Sequence, residues 1–242
     1  MRRGPALAYP RAAERRYRAY LLKRVRRLIR LIRKALRSDV RSDDVQVETG
    51  FDSGQLLARL AVLSSIVAED KDSGFEGVLR AVQVSTNRSA SRVLAQLGAT
   101  SVGVPVQVPT SWADTNLELI QDIDRDILER MSEAIIETSR KGGSMRDLEK
   151  RLSDISRIGK NRVKQIARNE VGNLNATISR QRQVAVGIVE YIWRTSEDER
   201  VRPLHRDLNN KPFRWDTGHP TEEHPGRPIN CRCVAIPVLP EQ

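Results

Sequence analysis

Cysteine is scarce in this 242-residue chain, which has two. Small secreted domains that depend on disulfides carry many more, so the sequence does not describe a disulfide framework. We therefore expect the protein to be made in a reducing cytoplasm. Aromatic residues are also few, at 4%. This argues against a single-strand nucleic-acid binder, because such proteins stack bases on aromatic side chains.

Long apolar runs are missing as well. The sequence has no stretch of about 18 or more apolar residues, so it predicts no membrane span. Its first residues, MRRGPALAYPRAAERRYRAY, carry positive charges that are not followed by an apolar signal core or a cleavage site. We therefore expect neither a secretion signal nor a membrane partner.

What the sequence does have is positive charge concentrated in one segment. Residues 1–37 contain 14 Lys and Arg against one acidic residue, Glu14, for a net charge of +13. The rest of the chain has 28 basic and 30 acidic residues and is almost neutral. Such a segment is typical of contact with a polyanion, and DNA or RNA is the commonest one.

The pattern of residues 11–37 predicts an amphipathic helix. Its apolar residues recur in steps of three and four and form one stripe: Tyr17, Leu21, Val25, Leu28, Ile32 and Ala35. The basic residues of the other faces are the predicted nucleic-acid contact: Arg11, Arg15, Arg16, Arg18, Lys23, Arg24, Arg26, Arg27, Arg30, Arg33, Lys34 and Arg37. One alternative is a docked helix whose basic face is only solvated. A membrane-surface helix is less favoured, because the stripe lacks Trp and Phe anchors.

The sequence predicts an α+β protein in which the N-terminal two thirds are mostly helical. A long helix should carry Ile120, Ile123, Ile127, Met131 and Ile135 on one face and end near the glycines at 142 and 143. The serine at 144 and the acid at 147 resemble a capping box that opens a short helix. We divide the chain into a basic arm or helix at 1–40, a helical region at 41–156 and a C-terminal α+β domain at 157–242.

The C-terminal domain should be a small module with a short sheet and a long ordered loop. A helix from about residue 160 should stop at Gly187, because glycine is common just after helix ends. A strand should follow with Val189, Tyr191 and Trp193 on one face, and a second strand should run from 234 to 239. The Pro-, Gly- and charge-rich stretch between them is the loop.

Both cysteines and all three histidines lie in or after this loop. Cys231 and Cys233 stand two residues apart in an extended segment, so their side chains should share a face and both sulfurs could reach one metal ion. With His205 and His224 they would form a Cys₂His₂ set suited to a structural Zn²⁺, and His219 could replace either histidine. The alternative is that each cysteine packs as a small buried apolar residue.

A second polar group suggests a competing enzymatic function. This group could support phosphodiester hydrolysis, with the histidine as general base and the arginines on phosphate. It comprises Asp198, Glu199, Arg200, Arg202, His205 and Asp207. However, no second metal-binding acid stands at a persuasive spacing, and there is no phosphate-cradling Gly-rich loop. Asp–Arg pairs more often brace a loop through bidentate hydrogen bonds. We therefore favour a protein without catalysis and keep a metal-dependent nuclease, using His205 and the two cysteines, as the alternative.

The C-terminal third also resembles a known family. Its helix carries ARNE at 167–170 and Asn175, and YIWRTSEDERVRPLH at 191–205 follows Gly187. HPGRPINCRCVAIPV at 224–238 closes the domain. In this order and spacing the motifs resemble the C-terminal domain of the phage Mu F-like minor head proteins, also called head-morphogenesis proteins. The resemblance covers about residues 160–240, and LNNK at 208–211 stands where the family often has LDG. Within it, the expected loop-bracing residues are Arg168, Glu170, Asp198, Arg200 and Arg202.

The resemblance implies a low-copy component inside the head of a tailed phage, made in the host bacterial cytoplasm. Such proteins act in head assembly, DNA packaging or DNA release. The implied partners are the portal protein, the major capsid protein or both, together with packaged double-stranded DNA bound without sequence preference. A homo-oligomer that follows the portal symmetry is a further expectation.

Overall fold

The computed structural model of the chain describes residues 2–3, 9–37, 51–69, 73–96 and 109–239. The helices are α1 (Arg11–Arg37), α2 (Ser53–Glu69), α3 (Ser73–Gln96), α4 (Thr110–Arg140), α5 (Met145–Ala185) and α6 (Pro203–Leu208). The strands are β1 (Arg2–Arg3), β2 (Glu190–Arg194), β3 (Pro212–Arg214) and β4 (Val234–Leu239). The predicted α+β class, mostly helical with a small C-terminal sheet, is confirmed.

The chain packs as two compact units. The first comprises Met1–Arg18, Glu76–Ala113 and Gln165–Gln242, and the second comprises Ala19–Phe75 and Asp114–Lys164. Helices α1, α3, α4 and α5 therefore contribute residues to both units. The domain bounds drawn from the sequence stay a prediction. Among the residues that the structure describes, no helix combines the length and the apolar composition that a bilayer span requires.

Helix α1 has the apolar stripe that its sequence predicts. Tyr17, Leu21 and Ile32 are at most 1% exposed, and Val25 and Leu28 are buried as well. Ala35 is half-buried. Residues 11–37 are thus a helix that supplies core side chains, because an apolar stripe of this width gains free energy only when it is covered.

Helices α4 and α5 begin and end largely where the sequence places their signals. All five predicted residues of the α4 stripe are buried, and the helix ends before the glycine pair. The backbone N–H and the hydroxyl of Ser144 both donate to Oδ2 of Asp147, each at 2.8 Å, so the predicted cap opens α5. That helix is 41 residues long rather than short. It runs unbroken through residue 157.

The sheet is antiparallel with the strand order β1-β4-β2-β3. The predicted bounds of β4 are confirmed. Because side chains alternate along a strand, Tyr191 and Trp193 of β2 lie in one apolar cluster, whereas Ile192 packs with Ile236 and Val238 in another. The first cluster also contains Leu208, Trp215, Cys231, Cys233 and Ala235. Val189 precedes β2 and is 56% exposed, so the part of the strand prediction that placed it beside Tyr191 is wrong.

Two glycines shape the chain around α5. Gly187 has φ +80° just after the helix ends, as predicted, and the N–H of Ile188 donates to the carbonyl of Gln183 at 2.9 Å. Gly226 has φ +87° in the loop that packs on α5, and a Cβ there would lie 3.1 Å from Cβ of Ala176. Only the second glycine combines a left-handed backbone with a close contact.

We predict that Gly226→Ala lowers the free energy of unfolding by about 2–3 kcal/mol, because it adds steric crowding to the left-handed strain of about 1–2 kcal/mol. The matched control is Gly187→Ala, where a Cβ would meet nothing within 4 Å. Gly187→Ala should therefore introduce only the left-handed backbone strain, without steric crowding. Urea unfolding of both variants would measure the difference, and equal losses would contradict the close packing of the loop on α5.

Candidate functional site

Three of the four predicted metal ligands come together in the C-terminal module. His205 lies on α6, which begins at Pro203, and the two cysteines lie in the extended segment before β4. Nδ1 of His205 is 3.5 Å from Sγ of Cys233 and 3.7 Å from Sγ of Cys231. All three ligand atoms lie within 4.8 Å of one another, and all three residues are buried. We call these residues the CCH cluster.

Glu222 completes this group from a third part of the chain. Its Oε2 accepts a hydrogen bond from Nε2 of His205 at 2.7 Å. The turn that carries Glu222 is held by His219, whose Nδ1 lies 3.3 Å from the backbone nitrogens of Thr221 and Glu222. Sequence reasoning missed Glu222, because no spacing signal links an acid in a loop to a histidine 17 residues earlier.

His224, the fourth predicted ligand, lies outside the cluster. Its Nδ1 is 3.0 Å from the hydroxyl of Tyr191, and its ring packs on Trp215 with centroids 5.1 Å apart. Burial lowers its pKa, and the positive charge of Arg180 adds to this effect. The ring is therefore a neutral, hydrogen-bonded part of the module core. The structure thus places this histidine in packing rather than with the other three ligands.

The pKa values of the two cysteines in the CCH cluster shift in opposite directions, and that of His205 is raised. The hydrogen bond from Cys233 lowers the pKa of Cys231, and the contact with His205 lowers it further. The same bond and burial raise the pKa of Cys233. The contact with Cys231 raises the pKa of His205, and Glu222 adds to this effect against the cost of burial. These shifts favour the thiolate form at Cys231 over Cys233, and they favour protonation of His205.

An ion pair fixes the start of the loop to the cysteine segment. The two carboxylate oxygens of Asp198 meet Nη1 and Nη2 of Arg232 at 2.6 and 2.7 Å, which is the bidentate geometry. Arg202 donates to the carbonyl of Ile229 at 2.6 Å. Arg200 takes part through its backbone N–H, which donates to Asp198 at 3.1 Å, whereas its guanidinium is exposed. Arg232, absent from the predicted bracing set, is thus the partner of Asp198.

The ARNE motif joins several segments to α5 rather than bracing the loop alone. The carbonyl of Arg168 accepts from the hydroxyl of Tyr9 at 3.0 Å, and the carbonyl of Glu170 accepts from Nε1 of Trp112 at 3.2 Å. Oδ1 of Asn169 accepts from the N–H of Asn230 at 3.2 Å, directly before the first cysteine. Arg168 and Glu170 therefore hold other segments, and Asn169 contacts the loop.

The basic residues of α1 divide into two groups. Arg24 forms a largely buried ion pair with Asp124, with Nε 2.6 Å from Oδ2, and Arg18 and Arg33 are half-buried. Arg37 is exposed but pairs with Glu149 at 3.0 Å. The other predicted contacts are exposed: Arg11, Arg15, Arg16, Lys23, Arg26, Arg27, Arg30 and Lys34. Arg24 thus belongs to the packed interior of the fold. The exposed residues form the surface that faces solvent.

A comparison with protein-family models matches the part of the chain that contains the C-terminal module. Residues 127–236 match the family model described as phage Mu protein F like protein. The resemblance to the phage Mu F-like family is thereby confirmed. The matched segment begins within α4, earlier than the motifs indicate, and includes the CCH cluster, Glu222 and the Asp198–Arg232 pair.

A curated relative extends the similarity to most of the chain. A protein of unassigned function from Haemophilus influenzae is 28% identical over 235 residues, which cover 92% of this chain and 52% of the relative. The chain therefore spans about half the length of that relative. No solved structure matches the chain.

We predict that Asp198→Asn lowers the free energy of unfolding by about 1 kcal/mol at pH 7 and by less in acid. Its bond to Arg232 holds the pKa of Asp198 below the ordinary value, so the pair stabilises the fold fully above that value. The contribution is lost as the pH falls through the lowered pKa. Chemical unfolding of both proteins between pH 7 and pH 3 would show the difference shrinking below about pH 4.

Asp216→Asn is the matched control, because Asp216 also binds an arginine, Arg214, but both side chains are at least half exposed. We expect a smaller effect there, since solvent screens such a pair. A difference at Asp198 that stays constant with pH would contradict a contribution from its charge.

Proposed function

We propose that this protein is a minor head protein of a tailed phage that lies inside the head near the portal. The exposed cations of α1 contact packaged double-stranded DNA, and the C-terminal module binds the portal or the major capsid protein. The family match, which points to a phage head-morphogenesis protein, supports the general role. The observation that carries the DNA contact is a line of exposed cations on α1.

This line comprises Lys23, Arg26, Arg30 and Lys34, and we call it the basic line. At 100° per residue these positions lie opposite the buried stripe of α1. All four are exposed, and within the described part of the chain none has an ion-pair partner. The line extends over about 16 Å at 1.5 Å per residue. Four uncompensated cations over that length repel one another, and a row of phosphates would relieve the repulsion.

Contacts of this kind fit DNA of any sequence. Lys and Arg on a helix surface neutralise phosphates, which position a protein but carry no base information. Binding of this type is strongly salt-dependent, because each contact releases condensed counterions. A protein that lies against densely packed genomic DNA needs charge complementarity and not base recognition.

The C-terminal module offers a surface for a protein partner. Ile229 is 69% exposed, and its carbonyl is held by Arg202. Leu204 is 41% exposed and lies on α6, next to His205 of the CCH cluster. Apolar side chains that are already held in place lose little entropy when a partner covers them. We assign this surface to the portal or major capsid protein, with a copy number that follows the portal symmetry.

The geometry of His205 supports a non-catalytic role. A general base must reach the proton of a water molecule or substrate. The His205 side chain is 4% exposed, and both ring nitrogens are engaged, Nδ1 with the cysteine sulfurs and Nε2 with Glu222. A side chain so buried, with both ring nitrogens engaged, is poorly placed to take a proton from a water that attacks a phosphodiester. This geometry favours the non-catalytic role over a nuclease.

We predict that replacing all four residues of the basic line by Gln weakens binding to a short duplex of random sequence. The slope of log K against log salt is negative, and each lost phosphate contact should make it less steep by about 0.9. The loss of four contacts should therefore make it less steep by about 3–4. Fluorescence anisotropy at several salt concentrations would measure the affinity and the slope. The fold should be unchanged, because the four side chains are exposed.

The matched control removes four positive charges elsewhere, at Arg140, Lys141, Arg146 and Lys150, all of which are exposed. These residues lie among the acids Glu137, Asp147 and Glu149, so they should contribute little. If both variants lose the same affinity for the duplex, the effect arises from net charge, and this would contradict a DNA contact at α1. Cleavage of the duplex in Mg²⁺ by the parent protein, abolished by His205→Ala, would contradict the non-catalytic role.

A further inference from the structure

We propose that the CCH cluster binds one Zn²⁺ ion through Nδ1 of His205 and the sulfurs of Cys231 and Cys233, and that Glu222 orients the histidine. The proposed head-protein function does not require this site, and the site does not depend on that function. The argument rests on the separations, the partners, the burial and the chemistry of the three ligand atoms.

The separations fit a tetrahedral ion. With Zn–S bonds of about 2.3 Å and Zn–N bonds of about 2.0–2.1 Å, a tetrahedral site places sulfur and nitrogen about 3.5–3.6 Å apart. The two sulfurs lie 3.5 and 3.7 Å from Nδ1 of His205. The two nitrogen–sulfur separations therefore match those of a tetrahedral zinc site, and the two sulfurs lie within 4.8 Å of each other.

The partners of the ligands are those that a metal site requires. A histidine that binds metal usually donates its other ring N–H to a carboxylate, which fixes the ring and makes the binding nitrogen more basic. Nε2 of His205 donates to Glu222 at 2.7 Å in this way. The backbone N–H of Cys233 points at Sγ of Cys231 at 3.4 Å and would stabilise a thiolate there.

The ligand types select the metal. Two thiolates and one imidazole are soft or intermediate donors that suit Zn²⁺, whereas Mg²⁺ and Ca²⁺ prefer oxygen ligands. The carboxylate of Glu222 is on the far side of the imidazole ring and serves the ligand rather than the ion. The site is therefore suited to zinc.

A small cavity provides the fourth coordination position. It has a volume of about 30 Å³ and is lined by the three ligands together with Ser196, Arg200, Val201, Arg202, Asn230 and Arg232. A space of this size holds a water molecule, which would complete the tetrahedron. It is too small for a nucleotide or a phosphodiester. Three protein ligands and one water make this an open zinc site, and the ion would tie α6 to the segment before β4.

The first test uses the parent chain, purified without chelator and then dialysed against Zn²⁺. We expect about one Zn²⁺ per chain by elemental mass spectrometry, since three ligands converge on one point. Removal of the ion should lower the melting temperature by several degrees, and added Zn²⁺ should restore it. Replacement by Co²⁺ should give the strong visible bands of a tetrahedral thiolate site. Substoichiometric zinc with no such bands would overturn the proposal in favour of a metal-free thiol pair.

Variants of the full chain then identify the ligands. Cys231→Ser and Cys233→Ser each remove one of the two thiolates, so each should weaken the cobalt–thiolate bands. Glu222→Gln should keep these bands and weaken Zn²⁺ affinity about 10–100-fold. His224→Gln is the matched control, because that residue is a buried histidine of the same module that lies outside the cluster. It should retain one Zn²⁺ per chain with unchanged bands. If His224→Gln loses its zinc, the proposed ligand set is wrong.

Discussion

The contact on which the C-terminal module depends is the one between His205, the two cysteines and Glu222. The chain between β2 and β4 is long and polar and has little regular structure, so few of its backbone groups are satisfied by a helix or sheet ladder. Such a segment keeps one conformation only when side chains supply the missing bonds. His205, which lies on α6, joins two other parts of the segment: its ring contacts the cysteine segment on one side and the Glu222 turn on the other.

The remaining bonds of the loop follow from that contact. Asp198 reaches Arg232 between the two cysteines, and Asn169 of α5 reaches Asn230 just before them. Both bonds require the cysteine segment to be extended and fixed. They also explain why the family motifs lie far apart in sequence: each carries one partner of a contact that closes only in the folded module.

The sequence predicted the features that depend on local pattern. The stripes of α1 and α4, the cap at Ser144, the stop at Gly187 and the bounds of β4 all arise from periodicity or from one residue's backbone preference. The convergence of the cysteines with His205 follows from their two-residue spacing and from the family motifs. Glu222 and the position of His224 could not be predicted, because loop-to-loop contacts leave no periodic signal. The length of α5 was missed for a different reason, since a change of composition near residue 160 does not interrupt a helix.

The two surfaces proposed for DNA and for a capsid partner are chemically distinct. One is a row of solvated cations on α1, and the other is a braced loop with exposed apolar side chains. A protein of the phage head that meets both DNA and capsid needs such a division. The most direct test is quantitative mass spectrometry of purified, DNA-filled heads from the phage or prophage that encodes this chain. The account predicts a few to a few tens of copies per portal. Absence of the protein from DNA-filled heads would contradict it.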